Sequence, residues 1–185
     1  MKSGLRMAVN PNTKRENNDF YATNPKALEL FLDRHEVEKD VWEPSCGQGH
    51  LSKLLETRGY AVKSTDLIDR GYGTGGVDFL QCSEQVEGDI LTNPPFNLAE
   101  EFVCKGMDLL KDGRQLILFL KIQFLEGQKR KKLFEKYPPK YVYCHSSRQL
   151  CSRNGDFETY NSTTLFYAWF VWEKGFTGEP IIRWI

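Results

Sequence analysis

No apolar run in this 185-residue chain reaches the roughly 20 residues that a membrane-spanning helix needs. The Leu116–Leu120 run stops at Lys121, and Met1–Phe20 is polar and Asn-rich, without the apolar stretch of a secretion signal. A soluble, cytoplasmic protein is expected. Cysteine is sparse. The five cysteines, Cys46, Cys82, Cys104, Cys144 and Cys151, are odd in number and include no Cys-x-x-Cys pair. That argues against a disulfide framework and against a zinc site, so no metal is expected. No internal repeat and no linker divides the chain. Residues 1–18 read as a flexible arm, and 19–185 as one domain long enough to build a sizeable core.

Net charge is absent too, with 25 basic and 25 acidic side chains, but the signs are segregated. Residues 17–110 carry eight basic and 17 acidic side chains, whereas residues 111–185 carry 13 basic and seven acidic ones. A basic end opposite an acidic one is compatible with nucleic-acid binding. The run Lys129-Arg130-Lys131-Lys132 fits that role and fits an ordinary solvated helix face equally well. The histidines, His35, His50 and His145, are scattered and read as surface or packing residues. Cys144 and His145 are neighbours on a strand, so they point to opposite faces and cannot work as a nucleophile and its base.

Strand and helix signals alternate. Pro25 suits a first helical position with Asn24 as its cap, and Leu28, Phe31 and Leu32 give a helical stripe. Val41–Glu43 reads as a strand, Leu51–Leu55 as a helix ending at Gly59, and 60–66 as a second strand. A Gly-rich loop follows at 70–76. Residues 89–92 form a strand, 98–110 a helix, 115–120 a buried strand, 127–137 a basic helix and 141–146 a strand. Residues 163–172 form an aromatic-rich strand. The pattern predicts an α/β sheet with helices on both faces, its last two strands forming an antiparallel pair at one edge. Strand alternation puts Phe166, Tyr167, Trp169, Phe170 and Trp172 into core packing.

Two segments carry chemistry. In 41–66, a strand, a loop with Gly47 and Gly49, a helix and a strand ending at Asp66 make a βαβ unit. Its ligand would sit at the strand ends, with Asp66 placed to accept from ribose hydroxyls. Gly-x-Gly alone does not specify the nucleotide. The specific signal is Asn93-Pro94-Pro95-Phe96. Each proline pushes its predecessor into extended conformation, so Asn93 is held at a strand end with its amide projecting. The Pro94 carbonyl is free to accept, and Phe96 offers a flat apolar face. Two acceptors beside a stacking surface suit a planar group that bears an amine.

On these residues the chain resembles the amino-methyltransferases, in particular the phage and bacterial adenine-specific DNA methyltransferases, which carry a [DNS]-P-P-[FYW] motif after their fourth strand. The resemblance runs from Asp19 to about Trp172. It implies a Rossmann-like class I methyltransferase fold with a mostly parallel seven-stranded sheet, and S-adenosyl-L-methionine as cofactor. Glu43-Pro44-Ser45-Cys46-Gly47-Gln48-Gly49 looks like the cofactor loop, with Glu43, Ser45, Gly47 and Gly49 as contacts. Asp66 matches the ribose-binding acid, and Asp78-Phe79 the adenine-binding pair. Phe20-Tyr21-Ala22-Thr23 resembles the motif at the cofactor's methionine end, with Tyr21 and Thr23 as its contacts. In this chain Asn24 intervenes where the family has Thr-Pro. The motif order resembles the gamma class, but only 89 residues follow Phe96, too few for a separate target-recognition domain.

The resemblance implies methyl transfer to the exocyclic N6 amine of adenine in DNA, with Asn93, Pro94, Pro95 and Phe96 catalytic. There is no Pro-Cys pair for the cytosine-C5 route. Candidate nucleic-acid contacts are Lys121, Lys129 and Arg130, with Arg148 and Arg153 in a segment interleaved with Phe157 and Tyr160. That segment also reads as an ordinary hairpin loop. The same tetrapeptide serves enzymes that methylate RNA bases or a protein glutamine. A non-catalytic cofactor- or nucleic-acid-binding module is a third reading. The oligomeric expectation is a monomer or weak homodimer.

Overall fold

Why the chain makes these elements is clearest at the first helix of the computed structural model, which describes residues 22–149, 151–152 and 165–185. Helix α1 (Pro25–Leu32) begins where Pro25 presets φ, and the Lys26 N–H donates to Asn24 Oδ1 at 3.0 Å. It follows a two-residue strand, β1 (Ala22–Thr23). Next come β2 (Asp40–Glu43), α2 (His50–Thr57), β3 (Ala61–Ser64), β4 (Asp89–Thr92), α3 (Ala99–Leu109), β5 (Gln115–Lys121) and α4 (Gln128–Lys136). The chain closes with β6 (Tyr141–Cys144), β7 (Cys151–Ser152), β8 (Tyr167–Glu173) and β9 (Ile181–Trp184).

Seven strands form one sheet in the order β3-β2-β4-β5-β8-β6-β9. β3, β2, β4 and β5 are parallel, β8 runs antiparallel to both β5 and β6, and β9 is parallel to β6. The expected mostly parallel seven-stranded sheet is therefore present, with β6 and β8 as the antiparallel pair. β8 starts at Tyr167, after Phe166, and β9 takes the edge beyond β6, so the pair expected at the edge lies one strand inside it. β1 and β7 make a separate antiparallel ladder that pairs Thr23 with Cys151.

The continuous apolar run of β5 follows from burial on both faces. Leu116, Leu118 and Leu120 point to a core shared with Phe102, Val103 and Met107 of α3 and Leu133 of α4. Ile117 and Phe119 point to the opposite core, shared with Leu28 and Phe31 of α1 and Leu51 and Leu55 of α2. On β8, Trp169 and its neighbours Phe170 and Trp172 are completely buried because the sheet is covered on both faces, whereas Phe166, expected in the core, precedes the strand and is 51% exposed. Among the described residues no helix is long and apolar enough to cross a membrane.

The connections create the site. From β2 the chain steps outward to β3, then returns to β4 on the other side of β2 and continues to β5. The loops leaving β2 and β4 thus diverge, and the crevice between them is a topological switch point, where α/β sheets bind ligands.

Candidate active site

A cavity of about 380 Å³ occupies this crevice. Three loops and β1 wall it. The first loop leaves β2 at Glu43, which is 2% exposed and accepts a hydrogen bond from Ser52 Oγ on α2. Burial, with the like charge of Asp66 adding to it, pushes the Glu43 carboxyl up to about 8, against the opposing pull of the Ser52 hydroxyl. Gly49 enters α2 at φ +79, and a Cβ there would lie 2.4 Å from the Tyr72 ring. Only glycine suits that position.

The second loop follows β3. Asp66 Oδ2 accepts from the Gly47 N–H at 2.9 Å, and Oδ1 accepts from the Ile68 N–H at 2.8 Å. One carboxylate thus ties the first loop to the second and keeps further lone pairs for a ligand. Asp78 ends the loop, with Oδ1 accepting from the Leu80 N–H at 3.0 Å.

The third loop leaves β4 at Asn93, whose Nδ2–H donates to Thr23 Oγ1 at 2.9 Å. With its nitrogen engaged there, the amide is held by a residue 70 positions earlier. Among the described residues no backbone hydrogen bond ends on the Pro94 carbonyl. Pro95 accepts from the Leu98 N–H at 2.9 Å, which closes the turn and sets Phe96. The Phe96 ring lies 5.9 Å from that of Tyr167, and the Lys121 ammonium sits 4.5 Å above its centroid.

The cavity brings together Thr23, Glu43, Ser45, Asp66, Asp78 and the whole Asn93–Phe96 tetrapeptide as lining residues. Gly47 and Gly49 shape the first loop from outside the lining. The Phe79 ring belongs to the core, against Trp42 at 5.3 Å and Phe102 at 4.7 Å. Tyr21 and Arg153 lie outside the described residues, as do Phe157, Tyr160 and the arm at 1–18.

The basic candidates separate. Lys121 stands at the tetrapeptide and Lys129 is exposed on α4. Arg148 covers the Phe166 ring at 5.1 Å. Arg130 is committed internally. Its guanidinium bonds Glu100 Oε1 at 3.2 Å and the Gln123 and Glu126 carbonyls at 2.9 Å each, and it covers Phe124.

Sequence reasoning missed Leu67, Ile68, Arg70, Leu80 and Phe102, which line the cavity, and set His50 aside although it lines it too. Leu67, Ile68 and Leu80 could have been found from their place directly after the two acids. His35 and His145 do pack. The His35 ring nitrogens bond Tyr143 Oη at 2.9 Å and Gln115 Oε1 at 2.6 Å, and burial beside Phe119 lowers His145 to about 4.

The switch-point cavity, walled by acids and closed by the tetrapeptide, lies in a doubly wound α/β fold, and solved structures share that fold. No protein-family model matches the chain, and no curated protein matches it in sequence. A Listeria monocytogenes protein provisionally assigned as a class I S-adenosylmethionine-dependent methyltransferase aligns with TM-score 0.60 at 14% identity, over 87% of this chain and 64% of its own. A Pyrococcus horikoshii protein provisionally assigned as an RNA methyltransferase aligns with TM-score 0.57 at 14% identity, over 86% and 91% of the two chains. A Vibrio vulnificus protein provisionally assigned as the modification subunit of a type I restriction enzyme aligns with TM-score 0.58 at 13% identity, over 92% of this chain and 48% of its own. The shared feature is the Rossmann-like methyltransferase fold.

Proposed function

We propose that this chain is an S-adenosylmethionine-dependent methyltransferase that methylates an exocyclic amine, and that its substrate is the N6 amine of adenine in DNA. The observation that carries the reading is the meeting of Asn93-Pro94-Pro95-Phe96 with Glu43, Asp66 and Asp78 in one cavity.

The residues suit the cofactor. Asp66 keeps acceptor lone pairs for ribose hydroxyls, Asp78 can accept from an adenine amino group, and Leu67, Ile68, Leu80 and Phe102 supply apolar walls for its ring. Glu43 is a buried acid facing a ligand with cationic groups. The bound cofactor supplies an activated methyl group on a sulfonium. The chain's part is to present the amine. An aromatic amine is a weak nucleophile because its lone pair is delocalised into the ring. Asn93 Oδ1 and the Pro94 carbonyl accept its two N–H groups, which favours a pyramidal nitrogen with its lone pair directed at the methyl. Phe96 stacks on the ring and fixes its plane. Orientation of this kind contributes up to about 7–11 kcal/mol, and fixed dipoles add to it. A base in a duplex must first leave the stack, at a cost of a few kcal/mol.

The likeness to the restriction-modification subunit supports a nucleic-acid substrate, and the cations Lys121, Lys129 and Arg148 are compatible with one. The likeness to the archaeal protein favours an RNA base as the second reading. The test is a panel of DNA, RNA and protein-glutamine substrates with methyl-labelled cofactor, alongside calorimetry of cofactor binding. The proposal expects label in DNA and micromolar-range or tighter cofactor binding. Cofactor binding with label in RNA alone selects the second reading, and no cofactor binding by folded protein defeats both.

A further inference from the structure

Lys121 is the last residue of β5, and its cross-strand partner on β8 is Tyr167. Both side chains therefore rise from the same face of the sheet, and both reach Phe96. The Lys121 ammonium lies 4.5 Å from the Phe96 ring centroid, and the Tyr167 ring lies 5.9 Å away at 31°. A planar group stacked on that face of Phe96 would sit at carbon–carbon contact, about 3.5–4.0 Å above the ring. At 4.5 Å from the centroid the ammonium overlaps the space such a group would take. Ring and ammonium cannot fill it together, so a stacked substrate moves the lysine sideways, to its own edge and within its own plane.

The tetrapeptide itself offers two acceptors here. The Pro94 carbonyl can only accept, and the Asn93 amide, whose nitrogen donates to Thr23 Oγ1, carries an oxygen that also only accepts. They match the amine's hydrogens. The neighbouring ring nitrogen is an acceptor and needs a donor, and a lysine ammonium has three donors and no acceptor. We infer that Lys121 is a substrate-contacting residue whose ammonium donates to the ring nitrogen beside the reacting amine, N1 or N7 of adenine. It then sets which amine is accepted, by requiring an acceptor next to it, and it is distinct from a lysine that merely holds a backbone phosphate. This inference rests on the amino-methyltransferase reading.

The experiment measures kcat/KM for methyl transfer to DNA carrying adenine, 1-deazaadenine or 7-deazaadenine, using the wild-type chain, Lys121→Met and Lys121→Arg. Deaza substitution replaces one ring nitrogen with C–H and leaves the amine and the phosphates unchanged. Wild type should lose at least about tenfold on one of the two analogues. Lys121→Met should lose a similar factor on adenine and show no further loss on that analogue, and Lys121→Arg should recover part of the discrimination. Cofactor affinity and melting temperature should match wild type in both variants. Equal discrimination by wild type and Lys121→Met overturns the inference. So does a uniform loss on all three substrates with a shallower salt dependence, which marks a phosphate contact. A wild-type chain that transfers methyl to adenine while ignoring both deaza substitutions also overturns it and leaves the parent reading intact. A wild-type chain that methylates no adenine defeats the parent reading and the inference with it.

Discussion

Glu43 is a carboxyl that the fold keeps away from water and supports with hydrogen bonds from the Ser52 hydroxyl and backbone. Its folded value, about 8, stands above its ordinary 4.5 because burial penalises the anion. The sign follows by linkage. The folded state holds this proton more tightly than the unfolded chain does. The stabilising contribution is complete below the ordinary value and is lost as pH rises through about 8. The ligand-free melting temperature of wild type should therefore fall, relative to that of Glu43→Gln, between about pH 5 and pH 8. A cationic cofactor prefers the anion, so its affinity for wild type should rise over the same span and stay flatter in Glu43→Gln. Calorimetry across that range checks both, and a pH-independent difference between the two proteins would remove Glu43 from the account. Residue placements at the cavity were legible where the sequence punctuates the backbone. Asn93 is marked by two following prolines, and Asp66 by the βαβ spacing. Thr23 Oγ1 beside Asn93, and Arg130 turned onto Glu100 and two carbonyls, were not legible. Those contacts join residues that no spacing rule connects.

At the scale of elements, α1 was read almost to the residue because its cap and its proline are local signals. β1 and β7 have two residues each, too few to show a period. β9 carries Ile181, Ile182 and Trp184 at 49%, 50% and 74% exposure, so its two faces do not alternate between core and solvent. That alternation is the signal by which strands are recognised. Close approaches between elements set the tolerance of the loops. A Cβ on Gly88 would lie 1.9 Å from the Asp40 carbonyl oxygen, which belongs to the β2 backbone, and one on Gly49 would lie 2.4 Å from the movable Tyr72 ring. Backbone cannot yield as a side chain can. Gly88→Ala should cost more stability than Gly49→Ala, whose own cost is about 1–3 kcal/mol from crowding and left-handed strain. Urea denaturation of the two variants gives the ranking, and the reverse order would contradict this packing of the loop before β4.

At the scale of the whole molecule, the doubly wound sheet follows from the alternation of strand and helix signals, and its switch point between β2 and β4 follows from the strand order. The aromatic strand β8 locks the sheet to α1. Trp169 is fully buried, stacks on Phe31 at 5.1 Å, packs on Phe119 at 4.8 Å and donates Nε1–H to the Ala27 carbonyl at 3.0 Å. Trp169→Ala should cost about 3–5 kcal/mol, from the cavity it opens and the hydrogen bond to Ala27 it removes. Thermal unfolding checks this, and a loss under 1 kcal/mol would contradict the core described.

That core holds the strand ends in register, so Asn93 and Pro94 share one cavity with Glu43, Asp66 and Asp78. The most direct measurement is mass spectrometry of nucleosides from DNA incubated with methyl-labelled S-adenosylmethionine and either wild type or Asn93→Ala. Wild type should yield labelled N6-methyladenine. Asn93→Ala, with cofactor affinity retained, should yield about 10²–10³-fold less, the scale for loss of one preorganised polar group. Undiminished N6-methyladenine from Asn93→Ala would contradict the account, as would label on a ring carbon.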